Sequence, residues 1–170
     1  MEHDIILVDK NDNQICTGEK ISVHKAGKLH RCFSIFIFNT HGKMMMQKRA
    51  ARKYHSGGLW TNTCCGHPRP GEDTLHAAHT RLQEEMGFDC ELKEVLTFTY
   101  KKAFANSLTE HEFDHVLIGT FDGEPNPNPK EADGWKWITP NELTKDMQQH
   151  PENYTYWFSI VLEKVLIAKQ

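Results

Sequence analysis

The chain is expected to adopt an α+β fold, a mixed β-sheet flanked by helices in one compact domain, and three observations predict it. Its 170 residues, 38% of them apolar, suffice for one domain with a full hydrophobic core. Its patterns run strands, then a helix, then strands, then helices, an order that suits helices layered on a sheet. Its stretch FSIFIF, Phe33 to Phe38, is apolar on both faces, as a strand in the middle of a sheet must be.

Taken in order, DIILVDKNDNQICTG (Asp4 to Gly18) reads as a strand, a polar turn and a short strand. HRCFSIFIFNTHGKMMMQKRA reads as two strands joined by a turn at Asn39 to Lys43, with Phe33, Ile35 and Ile37 on one face and Phe36 and Phe38 on the other. Ala50 to Thr63 reads as a glycine-containing basic loop. EDTLHAAHTRLQEEMGF is the clearest helix. Asp73 or Thr74 caps it, Leu75, Ala78, Leu82 and Met86 form its buried stripe, and Gly87 ends it. Strands follow at about Leu92 to Lys101 and His111 to Phe121, and then comes the proline-rich loop DGEPNPNPKEADG. WKWIT is a short strand, while PNELTKDMQQH and TYWFSIVLEKVLIAK are helices.

The net charge of -3 offers no basic field for nucleic acid or an anionic membrane, and neither is expected as a partner. No segment has the length and apolarity to span a bilayer, and MEHDIILVDK lacks the basic start of a secretory signal, so a cytoplasmic location is expected. The five cysteines are odd in number and irregular in spacing. In a reducing compartment they are thiols, ligands or catalysts rather than a disulfide framework.

The stretch TNTCCGHPRPGED (Thr61 to Asp73) concentrates cysteine, histidine and glycine, and what it does depends on the rest of the chain. Glu110 and Glu112 lie two apart on a strand and point the same way. They are either a solvated strand edge or a pair held together by a shared cation. With His24, His30 and His67 they would make a site of three imidazoles and two carboxylates, suited to manganese, magnesium or zinc. Arg81 and Glu85, four apart on the helix, are a salt bridge in an arbitrary helix. Glu84 and Glu85 together make an acidic last turn that runs against the helix dipole and calls for a cation. Lys48, Arg49, Arg52 and Lys53 are either a solvated loop or a polyanion grip.

Gly66 to Phe88 resembles the Nudix signature: Gly66, Glu72, Leu82, Glu84, Glu85, Gly87 and Phe88 fit it. The chain departs from it at Thr80 and Arg81, where the signature has an Arg-Glu pair, so a positive charge stands where hydrolytic metal would gather. Together with TNTCCGHP and the later EHE, this pattern resembles the type I isopentenyl-diphosphate isomerases, over nearly the whole chain.

The resemblance implies an α/β/α Nudix-like fold, with residues 1–170 forming one isopentenyl-diphosphate isomerase domain. The implied substrate is a small allylic or homoallylic diphosphate, handled by a monomer or weak dimer. By resemblance, His24, His30, His67, Glu110 and Glu112 hold a manganese, zinc or magnesium ion, and Glu85 holds a magnesium ion with the diphosphate. Cys65, Glu112 and Tyr100 are the implied catalytic groups. Lys20, Arg49, Lys53 and Arg81 are the implied diphosphate ligands, and Trp157 covers the hydrocarbon, with Trp60, Trp135 and Trp137 as other candidates. Such a site moves a proton on and off an alkene through a carbocation, with Cys65 expected to approach the thiolate beside cationic neighbours. Two alternatives remain, a Nudix hydrolase of a diphosphate and a non-enzymatic metal-binding module.

Overall fold

A computed structural model describes residues 3–169. The first hairpin is β1 (Asp4–Val8) and β2 (Gln14–Glu19), closed where the Asp9 carboxylate accepts from the Asn11 and Asn13 amides. It leads into a short helix, α1 (Lys20–Ala26), that the sequence reading did not anticipate. Its seven residues include β-branched Ile21 and Val23, and its cap is a glutamate, Glu19, rather than a short polar side chain. The one available signal was Gly27, which ends it with φ 60°.

The long strand β3 (His30–Phe38) lies in mid-sheet, as its two apolar faces require. It pairs antiparallel with β1, with β4 (Met44–Arg49) and with β6 (Cys64–Gly66), and parallel with β8 (Thr109–Thr120). The β7 strand (Leu92–Ala103) pairs antiparallel with β8 along its whole length. On the far side of β4 lie the two-residue β5 (Trp60–Thr61) and β9 (Ala132–Ile138). Two boundaries differ from expectation. The CCG segment pairs as a strand, and β9 starts at Ala132 within the stretch read as loop, because its backbone continues the β4 ladder from Arg49.

Helices cover both faces. On one, α2 (Thr74–Met86) buries Ala77, Ala78, Leu82 and Met86 against Phe33, Ile35, Ile37 and Met45. Asp73 caps it by accepting from the His76 amide, and Gly87 ends it with φ 74°. Leu75 is exposed and Ala77 takes its expected place on the buried face. On the other face, α4 (Tyr156–Ala168) buries Trp157, Phe158, Val161, Leu162 and Val165 against Phe36, Phe38, Met44 and Val116. The intervening α3 (Pro140–Gln149) starts with a capping box between Thr139 and Glu142 and adds Leu143 to that core. Among the described residues no helix is long and apolar enough to cross a membrane.

Phe158 is fully buried and stacks on Phe36 at 6.1 Å between centroids. Phe158→Ala is expected to lower unfolding free energy by about 3–5 kcal/mol, read as the shift in a urea unfolding curve followed by circular dichroism.

Candidate functional site

Alternate residues of a strand share a face. On the face toward α4, β3 presents His30, Cys32 and Ser34 before Phe36 and Phe38, and β8 presents Glu110, Glu112 and Asp114 before Val116. Both strands therefore change from polar to apolar halfway. Parallel pairing brings the polar halves together, with His30 opposite Glu112 and Cys32 opposite Asp114. The β7 register sets Tyr100 beside Glu112, and the β6 register sets Cys65 beside Ser34. The site is thus the polar continuation of the α4 core.

His24 from α1 and His67 after β6 complete a cluster with His30, Glu110 and Glu112, whose ligand atoms all lie within 4.8 Å of one another. The backbone fixes two of the imidazoles. His24 Nδ1 donates to the Lys20 carbonyl at 2.6 Å and His30 Nδ1 to the Lys28 carbonyl at 2.9 Å. Each then turns an unprotonated Nε2 inward, the tautomer a metal ligand needs. His24 Nε2, His30 Nε2 and Glu110 Oε2 are buried without a hydrogen-bond partner, although the His24 and Glu110 atoms approach to 3.2 Å. Buried polar atoms are rarely left so, and three that converge fit a divalent cation. Burial, opposed by Glu112, holds the His67 pKa down at about 4. Burial favours a neutral Glu112, but its contacts with His30, at 3.5 Å, and His67, at 2.9 Å, outweigh it and hold its carboxyl well below the usual range. Neutral imidazole and ionised carboxylate are the forms that ligate metal.

Glu112 Oε1 lies 2.9 Å from His67 Nε2, and its Oε2 accepts from the Tyr100 hydroxyl. Across the row, Cys65 Sγ accepts from Asn62 Nδ2 at 3.1 Å and lies 3.5 Å from Ser34 Oγ. Ser34 donates to Asp114 Oδ2 at 2.7 Å. The expected approach of Cys65 to the thiolate is not what these surroundings produce. Burial and then the Asp114 carboxyl push the thiol up to about 12, against weaker help from Ser34 and Asn62. Cys64 points to the opposite face, into the α2 core, so the pair is no disulfide corner.

Cys65, His67, Tyr100, Glu110 and Glu112 line a cleft of about 740 Å³ together with Lys20, Arg49, Lys53, Arg81 and Trp157. Arg49 has a buried Nε without a partner, and its guanidinium lies 5.2 Å from the centre of the Trp157 ring. Trp157 also donates to Asn62 Oδ1 at 3.3 Å and belongs to the α4 core. Lys53 is paired with Glu131. Arg81 meets Glu84 at 2.7 Å, pairs with Glu85 and approaches Glu131 at 3.6 Å. The cation called for by the acidic last turn of α2 is Arg81 itself. Glu85 Oε2 accepts from Gln47 Nε2 at 3.0 Å, so both its oxygens have protein partners. Gly66 is required where it stands, because a Cβ there would lie 2.6 Å from the Phe33 ring and 3.1 Å from Arg81 Cγ.

The sequence reading missed four residues here. Asp114 extends the Glu110, Glu112 alternation, and strand parity would have found it. Ser34, Asn62 and His55 carry no such signal, since each reaches the site only through tertiary contacts.

Residues 28–158 match the NUDIX domain family. The chain is 52% identical over 169 residues to Isopentenyl-diphosphate Delta-isomerase 2 of Aromatoleum aromaticum, covering 99% of this chain and 89% of that one. It is 52% identical over 163 residues to Isopentenyl-diphosphate Delta-isomerase of Serratia proteamaculans, covering 96% of this chain and 91% of that one. A crystal structure of a Deinococcus radiodurans protein is similar with TM-score 0.72 and 18% identity, over 86% of this chain and 90% of that one. A MutT NUDIX hydrolase from Burkholderia pseudomallei is similar with TM-score 0.65 and 21% identity, over 81% and 98%. At these identities the two structures speak to the fold alone.

A thiol raised to about 12 reacts slowly with alkylating agents near neutrality. With iodoacetamide at pH 8, exposed Cys16 is expected to be alkylated well before Cys65, as peptide mass mapping would read. Preferential labelling of Cys65 would instead reveal a thiolate.

Proposed function

The chain belongs to the isopentenyl-diphosphate Delta-isomerases of the NUDIX fold and interconverts isopentenyl and dimethylallyl diphosphate, and from that premise we propose that Cys65 and Glu112 are its two proton-transfer groups. The reaction adds a proton to one alkene carbon, leaves a tertiary carbocation, and removes a proton from the neighbouring carbon. It needs a donor and an acceptor in complementary states. The observation that carries the assignment is that Cys65 is held as thiol and Glu112 as carboxylate on one face of the same sheet. Transfer from Cys65 to the alkene and from the cation to Glu112 leaves thiolate and carboxylic acid, the pair the reverse direction requires. Tyr100, donating to Glu112 Oε2, is placed to pass that proton on.

His24, His30, His67, Glu110 and Glu112 are proposed to hold the divalent ion. Three nitrogens and two oxygens suit zinc or manganese better than magnesium, which favours an all-oxygen shell. Such an ion would fix the Glu112 carboxylate and tune its acidity. Lys20, Arg49, Lys53 and Arg81 are proposed to grip the diphosphate, with Arg49 Nε already an unsatisfied donor. Glu84, Glu85 and Glu131 stand among these cations and would repel a bare diphosphate, which supports a magnesium ion carried in with it beside Glu85. Trp157 and the core behind it are proposed to shield the carbocation from water. The hydrolase alternative is disfavoured, because Arg81 neutralises the acidic turn that hydrolysis would use.

A proton NMR time course with isopentenyl diphosphate and magnesium in deuterated water is expected to show dimethylallyl signals with deuterium incorporation. Free phosphate or pyrophosphate would mark a hydrolase instead. Cys65→Ala and Glu112→Gln should each slow turnover by about 10²–10⁴-fold. Wild-type rates in either variant would remove that residue from the mechanism.

Removing the metal tests the ligand set separately. Dialysis against a strong chelator should abolish isomerisation. Manganese affinity, measured by calorimetry, should fall steeply in His67→Ala and also as the pH drops from 8 to 6. The pH sign follows from His24: burial opposes its charge, but Glu110 and the Lys20 carbonyl outweigh burial and raise its pKa, so protons compete for the site from higher pH than usual.

A further inference from the structure

The cationic loop between Arg49 and Trp60 also carries His55, which the mechanism does not use. Its side chain is 5% exposed, and its Nε2 lies 2.6 Å from Glu110 Oε1. Its Nδ1 lies 3.2 Å from Ser56 Oγ. The ring stacks on Phe104 at 4.9 Å and meets Trp157 edge-on at 5.9 Å. Three walls of the site therefore fix one imidazole: the β7–β8 connection through Phe104, α4 through Trp157, and β8 through Glu110.

A neutral ring satisfies these contacts. The Ser56 hydroxyl can donate to Nδ1, which leaves Nε2–H as a donor to Glu110. Glu110 is thereby divided. Its Oε1 is taken by His55, while its Oε2 stays buried and unpartnered, 3.2 Å from His24 Nε2 and 3.9 Å from His30 Nε2. A carboxylate held by one oxygen has one orientation and offers the other oxygen alone. The loop is bound into the same unit, because Arg49 Nη2 donates to the His55 carbonyl at 3.3 Å.

We propose that His55 is a positioning residue that fixes Glu110 for metal ligation through a single oxygen, and so links metal binding to the seating of the cationic loop. The proposal rests on the His/Glu metal site above and adds to it a mechanical connection. Linkage requires that whatever orders Glu110 through His55 also orders the loop.

The test uses the full chain, with manganese as the probe and no substrate. Affinity is read by calorimetry, and hydrogen exchange of residues 50–59 is followed by mass spectrometry with and without manganese. In the wild type, manganese is expected to slow exchange in the loop. His55→Phe keeps the stacking on Phe104 but removes the donor. It should weaken manganese about 10–100-fold and abolish the metal-dependent protection. His55→Gln, which keeps an N–H donor, should stay within about threefold of wild type, taking that as the tolerance of such a swap. Wild-type affinity in His55→Phe, or equal loss in both variants, overturns the proposal. His67→Ala separates the two claims. If it binds manganese as tightly as wild type, the metal site itself is wrong and the proposal falls with it. If it is weakened while His55→Phe is not, this proposal alone falls.

Discussion

The parallel pairing of β3 with β8 is the constraint on which the site depends. Both strands are polar in their first halves and apolar in their second, and only a parallel arrangement in this register lays polar on polar and apolar on apolar. A slip of one residue would turn Glu110, Glu112 and Asp114 into the α2 core and Phe113 and His115 toward the α4 side. The apolar halves prevent it. Phe36, Phe38 and Val116 are buried beneath α4, and exposing or misplacing them costs far more than any contact within the site gains. The geometry of the polar half is thus specified by the packing of the apolar half, which is how strands position functional groups more tightly than loops do.

The fold is shared with a MutT NUDIX hydrolase, and in this chain the acidic turn of α2 is occupied by Arg81. Arg81 stands one turn before Glu85 and gathers Glu84, Glu85 and Glu131 around a single guanidinium. Burial disfavours its charge, yet the carboxylates and Cys64 outweigh that and keep it firmly protonated. Cys65 on β6 and Glu112 on β8 line the same cleft as Arg81.

Much of this was legible in the sequence because it rests on period-two alternation. FSIFIF gave the central strand, and Glu110 with Glu112 gave the paired carboxylates. The CCGHP stretch and EHE, by their resemblance, pointed to His24, His30, His67, Glu110 and Glu112, which cluster in the structure, and to Cys65, which lines the cleft with His67, Glu110 and Glu112. What escaped was set by tertiary contact. The α1 helix is held by its packing on β2 and β8 more than by its residue propensities. The raised Cys65 thiol depends on Asp114, a neighbour 49 positions away in sequence that only the β3–β6 and β3–β8 registers bring near. Cationic neighbours were expected to dominate that thiol, and burial followed by the Asp114 carboxyl does so instead.

The division of acid from base follows from burial acting on unlike neighbours. Glu112 faces the imidazoles of His30 and His67 and accepts from the Tyr100 hydroxyl, and these neighbours hold its carboxyl low despite burial. Burial and then the Asp114 carboxyl raise the Cys65 thiol, and burial and then Glu112 raise the Asp114 carboxyl, against the weaker help of Ser34 and Asn62. Adding a further anion to the face that holds Glu110 and Glu112 would cost several kcal/mol in such surroundings. Cys65 and Glu112 are therefore pushed apart in pKa, one group toward each role, as two-group proton transfer requires. Glu110 and Glu112 are two buried carboxylates drawn together in one cluster. Donation by Tyr100 and the contact from His55 offset part of their charge, and a divalent cation at the converging nitrogens would offset the rest.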